Sequence, residues 1–565
     1  MKHIKLTLLL LLLPALAMAQ INLTGTVVDA QSGEPLVGVS VSSPKNSTGT
    51  ITDIDGRFSL TLQQADLVSF SYIGYDTERQ KVSASTTLNI RMQETSQTID
   101  EVVVVGAAMK KSDLTGSVGS ISADQIKEVP TANLNQALQG KVPGVYIESN
   151  PKPGANASIQ IRGNNSISYG TTPLYVIDNI MIDDTDISTI NPNDIASIEI
   201  LKDASATALY GARGANGVVV ITTRRGQKGK GRVTYDGWVG WQTFANNIPV
   251  MDGPQTFDYR VDSYANKYID QNPTADRNKY IERYLLIDGK RINQNVAFAS
   301  WEMDAYKEGL TYNWVNEITR PGFQHNHNVT FSGATDHVNY FTSFGYSNQK
   351  GQIVGSAYRR YNGKVNLEFD VNKWLKIGTN NSLAYSVENP MADDNMYLVA
   401  FRADPLYYIN DEQYYMWEGK LESQSFHNPI KAMKTITRDV DKFRYLTSNY
   451  LDIHPVKGLN IRSTFSLDFA QQENDYYFNT QSTTSYQNAY DGYAQQYRTK
   501  SLNWQWDNTV SYNATIAEKH RIGAVVGMDM SYYSNNWNQI NAVGFGNDLF
   551  GYKNIGAATN KEQSS

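Results

Sequence analysis

Alternation of apolar and polar positions dominates the chain after Gly231. Over residues 361–371 every odd position is apolar or glycine and every even position is polar. The same rhythm recurs over 459–469, 502–512 and 522–532, and more weakly near Val329, Val338, Leu375 and Tyr445. At the start of the region Val233, Tyr235, Val239 and Trp241 share one face, and Arg232, Thr234, Asp236 and Gln242 share the other. A period of two places successive side chains on opposite faces of a strand, which predicts about nine strands of roughly ten residues. A soluble sandwich gives the same rhythm. Long strands, with Trp238, Trp241, Trp374, Trp504 and Trp506 within or at the ends of them, point instead to a wall with lipid on one side and water on the other. The segments 251–324 and 388–442 are long and polar, as external loops would be.

Upstream the patterning differs. Lys2, His3 and Lys5 precede an unbroken apolar run at 6–13, then Pro14, Ala17, Met18, Ala19 and Gln20. This predicts a secretory signal peptide cleaved between Ala19 and Gln20. The run is too short for a spanning helix, which needs about 20 residues. From 22 to 92 short strand-like runs at 24–28, 37–41, 58–62 and 67–72 alternate with turn signals, predicting a small β-sandwich. Asp53 and Asp55 could start a calcium loop, but Arg57 and Phe58 follow where acidic ligands are needed. A hairpin turn is expected there. From 112 to 226 helical and strand signals mix with many glycines. Short helices are expected from Asp124 and over 134–138, and strands near 145, 159–163, 173–178, 198–203 and 218–222. A further helix over 204–211 is expected to end at Gly211 and give way to a loop over 212–217.

Composition narrows the class. The chain has 565 residues, no cysteine, a formal net charge of -6 and 19% charged residues. Disulfide frameworks, thiolate metal sites and thiol nucleophiles are excluded. No basic stripe marks a nucleic-acid surface. Tyr (36) outnumbers Phe (18) twofold, in keeping with extracytoplasmic β structure. His325 and His327 share one face of a strand, and Asp183, Asp184 and Asp186 form an acidic cluster. Interface histidines and solvated loop acids are the expected readings of these groups, with calcium at the aspartates the alternative. The glycines over 211–217 lack the Lys-Ser/Thr of a phosphate loop. Nothing in the chain orders itself as a catalytic constellation, and no enzyme activity, cofactor or metal is expected.

Several segments resemble known families. The Gly-Glu-Pro-Leu-Val-Gly-Val and Asp-Gly-Arg-Phe-Ser-Leu runs of the first domain resemble the carboxypeptidase regulatory-like domain. Asp100, Glu101, Val102, Val103, Val104 and Val105, set between two domains, resemble the TonB box of energy-coupled outer-membrane transporters. The alternative is one more strand of the sandwich. The stretch DASATALYGARGANGVVVITT over 203–223, preceded in order by 138–145, 161–168 and 173–178, closely resembles the plug of the SusC/RagA family of TonB-dependent outer-membrane proteins. Its motif positions here are Arg162, Gly163, Asp178, Asp203, Tyr210, Gly211, Arg213, Gly214, Asn216 and Gly217. Asn179 stands where the family usually has glycine, and asparagine tolerates positive φ well.

The fold class implied is mainly β: signal peptide (1–19), carboxypeptidase regulatory-like sandwich (20–93), linker with TonB box (94–111), α+β plug (112–226) and part of a transmembrane antiparallel barrel (227–565). The function implied is TonB-dependent outer-membrane import of glycans or oligosaccharides, or of peptides. The partners implied are TonB, a SusD-like surface lipoprotein and outer-membrane lipid, with no nucleic acid. The alternatives are a surface adhesion or structural protein using the sandwich, and a secreted glycan hydrolase. Plugged barrels of this kind close with about 22 strands. The polar ending over 557–565 is expected to lack a strand, so the sequence reads as a truncated N-terminal portion.

Overall fold

The structure, a computed structural model, describes residues 21–30, 33–43, 45–46, 48–72, 75, 77–93, 101–104, 107–110, 118–150, 152–163, 170–182, 187–203, 207–245, 248–282, 286–287, 291–292, 300–391, 396–406, 416–417, 420–421, 429–482, 491–516 and 520–565. The leader with Ala19 and Gln20 lies outside them, as do Asp100, Val105, Asp183, Asp184 and Asp186. The chain divides into two compact units.

The first unit is a sandwich of two sheets. Strands β1 (Ile21–Asp29), β4 (Arg57–Leu62) and β7 (Thr86–Met92) form one sheet in the order β4-β1-β7. Strands β2 (Ser40–Ser43), β3 (Thr48–Ile51), β5 (Asp66–Ser71) and β6 (Glu78–Val82) form the other, in the order β3-β2-β5-β6. Alternate residues of β1 and β4 are buried, so Leu23, Val27, Phe58 and Leu60 join Val41, Val68 and Phe70 in one core. Phe58 meets Phe70 edge-on at 5.2 Å. The turn at 53–56 forms as expected, with the Asp53 carboxylate accepting from the N–H groups of Asp55 (3.0 Å) and Arg57 (2.8 Å). It is not a hairpin, however. It joins β3 to β4, which lie in different sheets. Gly56 sits there at φ 70°, and a Cβ would come within 2.5 Å of the Val27 carbonyl oxygen, so the crossing requires glycine.

Strands β8 (Glu101–Val104) and β9 (Ala107–Lys110) form a two-stranded sheet of their own and join neither sheet of the sandwich.

The second unit contains the plug and the strand wall. In the plug β10 (Val118–Ser122), β13 (Leu174–Ile177), β14 (Ile180–Ile182), β15 (Ile195–Leu201) and β16 (Val218–Thr223) form a sheet in the order β10-β15-β16-β13-β14. Strands β11 (Val145–Glu148) and β12 (Ser158–Ile161) form a separate hairpin. Helices Ala123–Lys127 and Leu134–Leu138 occupy their expected positions, capped by the side chains of Ser122 and Asn133. The central strands β13 and β15 are near-continuous apolar runs because both their faces are covered. Ile121, Ile126, Leu138, Ile159, Ile177, Ile198 and Val219 belong to the plug's own core.

The wall is one ten-stranded antiparallel sheet. Its members are β17 (Gly229–Gln242), β20 (Gly322–Ala334), β21 (Val338–Lys350), β22 (Ala357–Asn372), β23 (Leu375–Asn389), β26 (Ile436–Val456), β27 (Leu459–Phe478), β28 (Tyr493–Ile516), β29 (His520–Val543) and β30 (Asn560–Ser564). The two-residue strands β18 (Leu286–Ile287), β19 (Arg291–Ile292), β24 (Met416–Trp417) and β25 (Lys420–Leu421) lie between wall strands in sequence. The tail over 557–565 therefore does contain a strand, contrary to expectation. β30 is polar and exposed throughout, and it is held by backbone pairing to 539–543 rather than by side-chain burial.

The long connections are not simple polar loops. Helix Gly253–Gln271 carries a capping box between Asp252 and Gln255. Trp314, Val315, Ile318, Met396 and Ala400 form a separate small core, and the Trp314 indole N–H donates to the Asp404 carbonyl at 2.8 Å.

Candidate functional site: the plug and wall interface

The wall inverts the burial of a soluble sheet. Along β22 the even residues Tyr358, Arg360, Lys364 and Asn366 are buried, and the odd residues Tyr361 and Phe369 are exposed. Along β28 Asn503, Gln505, Asp507 and Thr509 are buried while Trp506 and Val510 are exposed. A soluble sandwich would bury the apolar set. Here the polar set is covered by the plug, and the apolar set is left for hydrocarbon. Aromatic rings cluster on β17 and β20: Trp241 lies 5.4 Å from Phe323, and Tyr235 stacks on His327. His327 receives or gives a hydrogen bond to the Tyr235 hydroxyl at 2.6 Å, and His325 lies 3.2 Å from His327. The two histidines thus belong to an aromatic cluster on the wall strand β20.

The inward polar residues hold one edge of the plug. The Asp178–Asn179 turn between β13 and β14 has φ of 47° and 73°, the left-handed pair of a tight hairpin, so Asn179 does serve where glycine is usual. That turn points the Asp178 carboxylate at the Thr223 N–H (3.0 Å), the Thr223 hydroxyl (2.6 Å) and the Lys364 ammonium (3.3 Å). Both ion-pair side chains are buried, at 6% and 4% exposure. Arg360 donates through Nη1 to the carbonyls of Ala132, Ser188 and Ile190, and through Nε to Asn362. Asn362 donates to the Thr189 carbonyl at 2.8 Å, and Asn366 donates to Thr223 and to the Arg224 carbonyl.

The turn before β15 is fixed in the same way. Asn191 donates to Asn328 (3.0 Å), Asn193 donates to Asn326 (3.3 Å), and the Ser343 hydroxyl donates to Asp194 (2.5 Å). Burial pushes the Asp194 carboxyl up from the ordinary range, against the opposing pull of Ser343, Lys364, Arg224 and Arg360. Farther along the same sheet, on β28, Gln505 both donates to and accepts from the Met181 backbone, at 3.1 and 3.2 Å.

The motif residues read from sequence prove to shape the plug. Arg162, at φ 57°, pairs with Asp203. Gly163 follows it at φ 89°. The expected helix ending at Gly211 is instead a pair of 3-10 turns over Ala208–Gly214, broken at Gly211 by φ 58° and ψ -146°. Tyr210 is buried, and a Cβ on Gly214 would lie 2.9 Å from the Thr207 carbonyl oxygen. Arg213 reaches the Met181 sulfur at 3.2 Å. Asn216 donates to the Gly170 carbonyl at 2.8 Å. Gly217, at φ 90°, abuts Ile161 and turns the chain into β16. The motif thus carries the chain from β15 into the neighbouring central strand. Of the positions whose sequence resembles a TonB box, Glu101, Val102, Val103 and Val104 form β8.

The wall residues that grip the plug were not singled out from sequence. Their polarity was visible in the alternation, but their partners lie over a hundred positions away: Lys364 and Asp178 are 186 residues apart.

A strand wall apolar outside and polar inside, with a separately cored α+β domain seated on its inner face, defines a plugged outer-membrane β-barrel protein. Family models agree. The TonB-dependent Receptor Plug Domain matches residues 110–218, and the CarboxypepD_reg-like domain matches 23–104. The TonB-dependent receptor P26 of Formosa agariphila is 32% identical over 540 residues, covering 94% of this chain and 51% of that protein. The TonB-dependent receptor SusC of Bacteroides thetaiotaomicron is 32% identical over 431 residues, covering 73% of this chain and 39% of that protein. The solved RagAB peptide transporter superposes with a TM-score of 0.64 at 25% identity, over 80% of this chain and 51% of that one. The chain thus spans about half the length, or less, of these relatives. It belongs to the SusC/RagA type of TonB-dependent outer-membrane receptors.

Proposed function

We propose that this chain serves TonB-dependent import across the outer membrane, working with a SusD-like surface lipoprotein to take up oligosaccharides or peptides. TonB pairs with the segment Asp100 to Val105 as an added strand and pulls, and the plug yields to admit cargo. The observation that carries this reading is the polar seam between plug and wall, in which Asn, Gln, Ser, Arg and Lys side chains hold a separately cored domain across what would be the pore. Such a seam exchanges its hydrogen bonds with water at small net cost, roughly 0.5–1.5 kcal/mol each, which suits a stopper that must move. Relatives named as receptors and as a peptide transporter support import over catalysis. The test is deletion of residues 99–105 in the intact gene. Uptake of labelled cargo should fall to background while the protein remains in the outer membrane. Unchanged uptake would remove the mechanism.

A further inference from the structure

Apart from import, the outer face of the wall carries a row of hydrogen-bond donors. In the register of β20, β21 and β22, His325 stands opposite Asn348, and Asn348 opposite Arg359. They alternate with the buried Asn326, Ser347 and Arg360, so all three face outward. Lys350 follows two residues farther along β21 on the same face. Opposed side chains on neighbouring strands stand about 5 Å apart, so the row spans roughly 10 Å.

The row marks the end of the apolar band. Along β21 the outward positions run from Phe344 and Tyr346 to Asn348 and Lys350, and along β22 from Val365 and Tyr361 to Arg359. The short turns at 335–337, 373–374 and 457–458 lie at the opposite end of the wall, and short turns face the periplasm. The row therefore lies at the outer-leaflet boundary, at the level of lipid headgroups. The rings of Phe323, His325, Tyr346 and Tyr361 follow one another there, with centroids 5.5, 5.7 and 5.1 Å apart.

Its charge is uncompensated. Lys350 and Arg359 are exposed, and neither side chain has an ion pair or hydrogen bond among the described residues. No outward position of β20, β21 or β22 holds an acid. Beyond Val387 the same register row reaches Asp441 of β26, two strands from Arg359, and Asp441 accepts from the Tyr385 hydroxyl. Arg498 of β28, farther along that row, is by contrast held by Glu473 at 3.1 Å and Asp475 at 2.6 Å. His325 supplies a further donor. Its Nδ1 lies 3.2 Å from His327 Nε2, and His327 Nδ1 lies 2.6 Å from the Tyr235 hydroxyl. With the hydroxyl donating, His327 donates in turn to His325, and His325 Nε2 carries the proton available to an anion.

From this uncompensated row at the edge of the apolar band we infer that the patch binds the phosphate of an outer-leaflet lipid. Arg359 makes the bidentate contact, and Lys350 and His325 add donors. The lipid is favoured over a dissolved anion because Tyr346 and Tyr361 adjoin the row and offer its acyl portion a surface that free phosphate cannot use.

The test is native mass spectrometry of the intact receptor in neutral detergent, titrated with dimyristoyl phosphatidic acid, dimyristoyl phosphatidylcholine and inorganic phosphate. Phosphatidic acid should bind at least about tenfold tighter than phosphatidylcholine, since each cation beside an anionic headgroup is worth roughly fivefold. Arg359→Gln should weaken phosphatidic acid about fivefold and leave phosphatidylcholine unchanged. Lys350→Gln and His325→Phe should each weaken it by a smaller factor. Lys500→Gln, at an exposed cation of β28 outside the row, should change nothing. Equal binding of the two lipids overturns the inference, as does an Arg359→Gln loss no larger than that of Lys500→Gln. Full displacement of the lipid by millimolar inorganic phosphate overturns it too, by making the ligand a dissolved anion.

Discussion

Replacing Lys364 by methionine isolates the buried ion pair between plug and wall. The change keeps the length of the side chain and removes the charge, leaving the Asp178 carboxylate buried with only its two Thr223 donors. Losing one partner of a buried ion pair costs about 3–5 kcal/mol. The two surviving hydrogen bonds place this case near the lower end, about 3 kcal/mol. Amide hydrogen exchange over 174–182 and 218–223 reads the opening of this region, and a loss of about 3 kcal/mol speeds exchange roughly a hundredfold. The control is Lys228→Met, which breaks the Lys228–Asp336 pair at 3.5 Å with side chains 79% and 88% exposed, where less than about 1 kcal/mol is at stake. The double variant Asp178→Asn with Lys364→Met should recover most of the loss. Asparagine accepts the positive φ at that turn, and it leaves no buried charge. If Lys364→Met accelerates exchange no more than Lys228→Met does, the tie is not what holds this edge of the plug.

Three other tests probe separate parts of the argument. Gly217→Ala should make the plug more sensitive to limited proteolysis by about 1–3 kcal/mol of lost stability, because φ is 90° and the new methyl meets Ile161 at 2.7 Å; Gly170→Ala, without a positive φ and with open space around it, should be tolerated. Equal sensitivity of the two would count against the geometry. Phe465→Arg, at an exposed position of the outer face, should cost about 2–4 kcal/mol if it lies near mid-membrane and reduce heat-modifiable folded protein on gels, whereas Gln505→Ala on the inner face should insert normally. In the sandwich the Ser43 hydroxyl, 2.5 Å away, holds the Asp66 carboxyl below its ordinary range. A depressed folded-state pKa contributes stability that is present above the unfolded value of about 3.9 and is lost as pH falls through the folded value. Exchange protection of 40–43 and 66–71 should therefore hold from neutral pH to about 5 and decline below about 4, and Ser43→Ala should flatten that decline.

Much of the architecture is legible because its causes are local. The odd-even rhythm over 361–371 states the two environments of β22 residue by residue, and the structure places both sets as expected. Helix Leu134–Leu138 coincides with its predicted span because Asn133 caps it and Leu134 and Leu138 both face the core. The failures have physical reasons. At 53–56 the turn chemistry is local, but whether the next strand returns to the same sheet is a tertiary choice. At 208–214 the alanines favour helix, yet Gly211 breaks it into two tight turns. The segment 253–271 announces its start through Asp252, Pro254 and Gln255, but its polar composition masks a helix whose Arg260 pairs with Glu302 of the helix Ser300–Lys307 and with Asp404. The plug contacts were beyond reach for a related reason, since the partners of Arg360 lie at 132, 188 and 190.

The distribution of polar and apolar contact in the second unit implies an order of yielding. Within the plug, Ile198, Ile200, Val219 and Ile221 are fully buried against one another. Exposing such surface costs about 25 cal/mol per Å² with nothing from water in return. Across the seam the balance is reversed: Asn191, Asn193, Asn362 and Asn366 can exchange wall partners for lumen water, each at a small net loss. Among the described residues, the plug's core cluster takes a single wall side chain, Leu446. A load applied along the chain should therefore open the seam before it melts the plug's sheet. Within the sheet, β10 is nearest in sequence to the pulled segment, and it is an edge strand paired only with β15, so it should be the first strand to part. The buried Asp178–Lys364 pair, like the buried Arg360 guanidinium, is stronger than the amide contacts, and the pair lies at the far side of that sheet, on the turn joining β13 to β14. It should hold that edge of the plug to the wall while the edge nearer the pulled segment gives way, making the motion a hinged opening rather than the loss of the whole stopper.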